Sequence, residues 1–222
     1  MIKHLIFSSG SYRGLFMIGA MKKLIENKYL DFNNIQSIYG VSVGALIGIL
    51  TILNIDWDII ADYFINRPWD KLFNITPDML LNLYINKGIF DKKLFIESTK
   101  NLFTRQNISL DITFSQLFEK TNIDFHIFST RIDNFSIENI SHKTHPNMKV
   151  LDGIYESISI PYVFTPTFRN NTFYIDGAFI NPFPLDILIE FNENINKDEI
   201  FSISLEYEKR KKSNIKDCNI LE

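Results

Sequence analysis

The chain has 222 residues, 45% of them hydrophobic and 22% charged, which suits one globular domain with a substantial core. A formal net charge of -3 gives nucleic acid no electrostatic footing as a partner. The lone cysteine, Cys218, excludes an internal disulfide and fits a reducing, intracellular compartment.

Taken in order, Met1 to Phe7 is apolar but too short for a signal-peptide core, and it carries no small-residue cleavage pattern. It predicts a first strand over residues 5–7. A loop of small residues, 8–14, then leads into apolar residues at helical spacing over 15–27. Strand, glycine-containing loop and helix make an anion-binding turn, because small residues let successive backbone amides point into one cavity. Neither G-x-x-x-x-G-K-[ST] nor G-x-G-x-x-G is present, so a nucleotide is disfavoured as the anion.

A second strand is expected over 36–41 and a second helix from Ser42 to about Asn54. Two strand-to-helix units in succession argue for a mainly parallel sheet with helices on its faces, a three-layer α/β/α arrangement. Their junction reads Gly40-Val41-Ser42-Val43-Gly44, the G-x-S-x-G spacing of a nucleophile elbow. Ser42 is the candidate nucleophile. Gly40 and Gly44 permit the tight turn and the close approach of strand to helix. Two other readings of this stretch stay open: close packing alone, and a membrane span over 38–55, where Gly40, Gly44 and Gly48 fall at G-x-x-x-G spacing.

Residues 57–103 read as mostly helical, rich in aromatics and broken at Pro68, Pro77 and Gly88: an aromatic stripe of this kind is more often core, with a cover for an acyl-chain cleft or a face toward a lipid surface as the alternative. Thr113 with Gln116 forms a capping-box signature. A strand is expected over 123–132, a short helix over 152–159, a strand tip at Tyr174-Ile175 running into Asp176-Gly177-Ala178, and a last strand over 200–205. The polar segment 209–222, with its Lys209-Arg210-Lys211-Lys212 run, is expected as a solvated tail. His142 and His145 form only a loose pair with no carboxylate cluster near them in sequence, so no metal or organic cofactor is implied.

Four segments together resemble the patatin-like phospholipase family, across nearly the whole chain from Leu5 to about Leu205. Ser9-Gly10-Ser11-Tyr12-Arg13-Gly14 is similar to the family's oxyanion motif G-G-G-x-[RK]-G, with serines at two of the glycine positions. The elbow is the second segment. Residues 156–166 are similar to the A-S-x-x-x-P-x-x-F-x-P block, with Glu156 where the block has Ala. Asp176-Gly177-Ala178 matches D-G-[GA].

The resemblance implies a single patatin-like acyl hydrolase domain over 1–208. In it Ser42 is the nucleophile, Asp176 the base, and the amides of Gly10, Ser11, Tyr12, Arg13 and Gly14 form the oxyanion hole. Gly177 lets the backbone turn away behind the base. No histidine follows Asp176, which speaks against a Ser-Asp-His order and for a Ser-Asp dyad. The expected substrate is a lipid ester, with peripheral membrane contact, and the location is intracellular, soluble or membrane-associated. An acyltransferase on the same fold and a catalytically inactive interaction module remain the alternatives.

Overall fold

In the computed structural model, residues 1–192 and 194–205 are described. The expected tail over 209–222, with its basic run and Cys218, lies outside the described residues. The chain opens with β1 (His4–Phe7), a 3-10 turn at Ser11–Arg13, α1 (Gly14–Glu26), β2 (Ser37–Val41) and α2 (Val43–Ile52). Then come α3 (Trp57–Asn66), α4 (Trp69–Leu72), α5 (Pro77–Asn86), β3 (Gly88–Phe90), α6 (Lys92–Arg105) and α7 (Phe114–Thr121). The second half holds β4 (Asp124–Arg131), β5 (Ser136–Ile140), α8 (Val150–Ile158), β6 (Tyr162–Phe164), β7 (Thr167–Arg169), β8 (Thr172–Asp176), α9 (Leu185–Phe191) and β9 (Ile200–Ile203).

The main sheet runs β7-β8-β4-β2-β1-β9, with β5 also pairing β4. Strands β9, β1, β2 and β4 are mutually parallel, and β8 and β5 pair antiparallel to β4. Side-chain alternation along these strands builds the layers. Leu5 and Phe7 of β1, Ile38 of β2, and Phe125 and Ile127 of β4 face a large core formed with α1, α2, α3, α6, α7 and α8. Ile6, Tyr39, Val41 and Phe128 face the other way, onto Ile187 and Leu188 of α9. The sheet is therefore sandwiched between two helical layers, one thick and one thin.

The apolar stretch over 38–55 is divided between a fully buried strand and a ten-residue helix, which explains its hydrophobicity without a membrane. Among the described residues no helix is long and apolar enough to cross one. Thr113 caps α7 through both halves of the expected capping box. One correction falls in the aromatic-rich segment: Gly88–Phe90 is a strand, paired in parallel with β6 in a separate two-stranded sheet. Gly88 sits so close that a Cβ there would lie 2.2 Å from the Thr165 amide nitrogen, so the backbones touch only because the side chain is missing. β5 and α9 were also not among the expected elements.

Candidate active site

Ser42 lies between β2 and α2 with φ 56° and ψ -125°, a conformation that L-residues avoid and that costs about 1–3 kcal/mol. The surrounding backbone holds it there. A Cβ on Gly40 would meet the Gly44 carbonyl oxygen at 2.5 Å, and one on Gly44 would meet that of Phe7 at 2.3 Å. The elbow is thus pressed onto itself and onto the end of β1. Only glycine fits at either flank.

Asp176 ends β8 and reaches the same point from 134 residues away: the Ser42 hydroxyl donates to Asp176 Oδ2 at 2.5 Å. The other carboxylate oxygen accepts from the Ala178 amide at 2.8 Å. Gly177 makes the turn possible, since a Cβ there would lie 2.4 Å from the Phe128 carbonyl oxygen. Both members of the pair are buried, at 4% and 2% exposure. Burial pushes the Asp176 carboxyl up to about 6, against the opposing pull of the Ser42 hydroxyl and the Ala178 amide.

Three residues to which the sequence gives no role, Ser157, Ser159 and Thr130, set this approach. The Ser42 amide donates to Ser157 Oγ at 2.9 Å, and the Asp176 amide donates to the Ser159 carbonyl at 3.0 Å. Thr130 Oγ1 donates to the Asp176 carbonyl at 3.0 Å. The C-terminal end of α8 therefore touches the backbone of both. The serine-rich block 156–161 was the one available signal, because it fell within the family pattern.

The loop after β1 meets the elbow directly, for a Cβ on Gly14 would collide with Val43 at 2.2 Å. Ser11, Tyr12 and Gly14 line one cavity of about 460 Å3 together with Ser42 and Val43. Ser11 has φ 50°, which turns the peptide plane at this point in a way the family's glycine accepts more readily. Gly10 packs behind the loop against Leu205, and the Arg13 amide is engaged by the Gly10 carbonyl at 3.0 Å. The five expected loop residues are thus divided: Ser11, Tyr12 and Gly14 face the cavity, while Gly10 and Arg13 shape the loop. The remaining lining is apolar, including Leu46, Phe64, Trp69, Phe73, Ile160 and Phe164. The aromatic-rich segment supplies three of these.

None of the four histidines lines this cavity. His4 Nδ1 is 2.8 Å from Ser37 Oγ. The β4–β5 hairpin brings His126 and His142 to 2.9 and 3.0 Å from Asp124 Oδ1, and His145 to 3.3 Å from Glu138. His142 and His145 each have a carboxylate after all, supplied by chain folding rather than by sequence proximity. Among the described residues no group of three or more histidine, cysteine or acidic side chains is placed to hold a metal ion.

A mainly parallel sheet between helical layers, with a serine at a strained strand-to-helix turn, puts the chain in the α/β class with a turn of the kind that carries G-x-S-x-G. The family described as patatin-like phospholipase matches residues 5–189, and the chain belongs to it. It is 30% identical over 197 residues to a protein of Invertebrate iridescent virus 6 described as "Probable lipid hydrolase 463L", covering 88% of this chain and 66% of that one. It is 26% identical over 196 residues to an uncharacterized protein of Acanthamoeba polyphaga mimivirus, covering 88% of this chain and 63% of that one. The chain thus spans slightly less than two thirds of these relatives. In fold it is similar to VipD from Legionella pneumophila, with a TM-score of 0.62 at 16% identity over 90% of this chain and 49% of that one.

Proposed function

We propose that this chain is a serine lipid acyl hydrolase that cleaves acyl esters of phospholipids or other lipids through a Ser42-Asp176 dyad and an acyl-enzyme. The observation that carries the reading is the 2.5 Å bond from the Ser42 hydroxyl to a buried carboxylate, at the wall of an apolar cavity. A serine hydroxyl needs a base within hydrogen-bond reach, and Asp176 is that base. Ser42 Oγ attacks the ester carbonyl carbon as its proton passes to Asp176. The carbonyl oxygen, now an anion, takes hydrogen bonds from the loop amides at Ser11 and Tyr12 and from the start of α2, where the first helical amides have no partner within the helix.

Collapse of this intermediate expels the alcohol, which takes the proton from Asp176 and leaves an acyl ester on Ser42. Water then attacks that ester, gives its proton to Asp176, and releases the fatty acid as the proton returns to Ser42. The apolar lining takes the acyl chain. Tyr12 and Leu15, which line the cavity, are exposed, as are Tyr162 and Val163 between the lining residues Ile160 and Phe164. This apolar rim supports contact with a lipid surface. The hydrolase domain is assigned to residues 1–208.

The test is incubation with mixed phospholipid micelles and mass spectrometry of the products, beside labelling with a fluorophosphonate. Free fatty acid and rapid labelling are expected from the wild type, and neither from a folded Ser42→Ala. Acyl transfer to an added alcohol in place of fatty acid release would assign the chain to the acyltransferases. No turnover and no labelling would leave an inactive interaction module.

A further inference from the structure

Glu156 is fully buried at 0% exposure, one and three residues before the two serines that contact the Ser42 and Asp176 amides. Its carboxylate is satisfied from two strands. Arg169 of β7 donates through Nε to Oε1 at 2.8 Å and through Nη2 to Oε2 at 3.2 Å, and Ser129 of β4 lies 3.5 Å from Oε2. Ser129 is the residue directly opposite Asp176 in the β4–β8 register. Arg169 in turn stacks over the Tyr174 ring of β8 at 3.8 Å, two residues before Asp176. The fork of Arg169 and the carboxylate of Glu156 therefore tie α8 to the strands around the base.

We infer that Glu156 and Arg169 form a positioning pair: by fixing α8 against β4 and β7, they set the approach of Ser42 to Asp176 without touching the substrate. This rests on the dyad reading for its catalytic consequence. A buried ion pair can often be replaced by apolar residues of similar volume with little loss of stability, so its presence here is explained by geometry rather than by strength. The geometry is directional. A bidentate guanidinium-carboxylate contact fixes angle as well as distance, and α8 carries the two contacts that need that precision, Ser157 to the Ser42 amide and the Ser159 carbonyl to the Asp176 amide. The resemblance leads one to expect Ala at position 156, which would leave Arg169 without this partner.

Three variants test the inference: Glu156→Ala, Glu156→Gln and the double variant Glu156→Ala with Arg169→Met. Each is measured for thermal midpoint, for kcat and KM on a short-chain ester, and for the titration of the Asp176 carboxyl by carbon-13 NMR. Glu156→Ala is expected to lower kcat by roughly thirtyfold or more, with KM within about threefold, because a displaced base costs proton transfer and leaves binding intact. Glu156→Gln, which keeps the volume and one bond to Arg169, falls less. The double variant recovers the thermal midpoint but not kcat.

In the double variant the Asp176 titration also moves upward, since the Ser42 hydroxyl bond that now holds it down is loosened. A double variant with wild-type kcat and an unmoved titration overturns the inference. If the wild type turns over no ester, the dyad reading fails by itself, and the titration alone decides: an upward shift keeps the positioning role, and no shift removes it.

Discussion

Replacing Asp176 by Asn is expected to kill the enzyme and stabilise the protein. The carboxyl ordinarily titrates at 3.8 and is pushed up to about 6 in the folded chain, chiefly by burial. The folded state therefore holds the proton more tightly than the unfolded state does. Stability from this group is fully present below pH 3.8 and is lost as the pH rises through about 6. With about 1.4 kcal/mol per pH unit between the two values, the ionised side chain costs the fold about 3 kcal/mol at pH 8. Asn keeps the shape, accepts from the Ala178 amide and offers its amide group to Ser42, without a charge to bury. The assay is urea denaturation of both proteins at pH 4 and pH 8. The difference between them is expected to be small at pH 4 and to favour Asp176→Asn by about 3 kcal/mol at pH 8. Because both proteins share every other titrating group, the comparison isolates this one. A variant less stable than the wild type at pH 8, or a difference that does not change with pH, would refute the reasoning.

The same ionisation controls activity in the opposite sense, since the base must be charged to work: kcat/KM is expected to fall about tenfold per pH unit below about pH 6, and a flat profile to pH 5 would remove Asp176 as the base. Ser11→Gly keeps the loop amide and relieves a backbone at φ 50°, so turnover should stay within about threefold, whereas a hundredfold fall would make the hydroxyl the oxyanion donor. Gly44→Ala should fail to fold or lose about 3 kcal/mol or more, because its Cβ would lie 2.3 Å from a backbone oxygen that cannot move aside. Gly19→Ala is its control: exposed within α1, with nothing within 4 Å of the added Cβ, it should gain about 0.5–1 kcal/mol in thermal or urea unfolding.

What the sequence disclosed followed the range of the forces involved. The elbow, the capping box at Thr113 and the strands β1, β2 and β4 are local patterns, where spacing alone carries the physics. β3 read as part of a helical stretch because its strand character comes from β6, more than seventy residues later in the chain. β5 is Ser-Ile-Glu-Asn-Ile, too mixed to show a buried face, and it pairs because a tight turn through Phe135 at φ 49° folds it back on β4. Ser42 and Asp176, which the fold brings together, could be named from motifs. Their supports could not, since Ser157 reaches Ser42 across 115 residues and Glu156 is only a departure from the block's Ala until folding sets Arg169 beside it.

Strand β9 has a bearing on how the site is seated. β9 pairs in parallel with β1, the Leu205 amide donates to Ser8 Oγ at 3.0 Å, and the Leu205 side chain covers Gly10 at the base of the loop. A ribosome delivers the serine early, its carboxylate partner 134 residues later, and the strand that seats the loop later still. The loop beside the elbow is therefore seated by a strand that follows both the serine and the carboxylate in the chain.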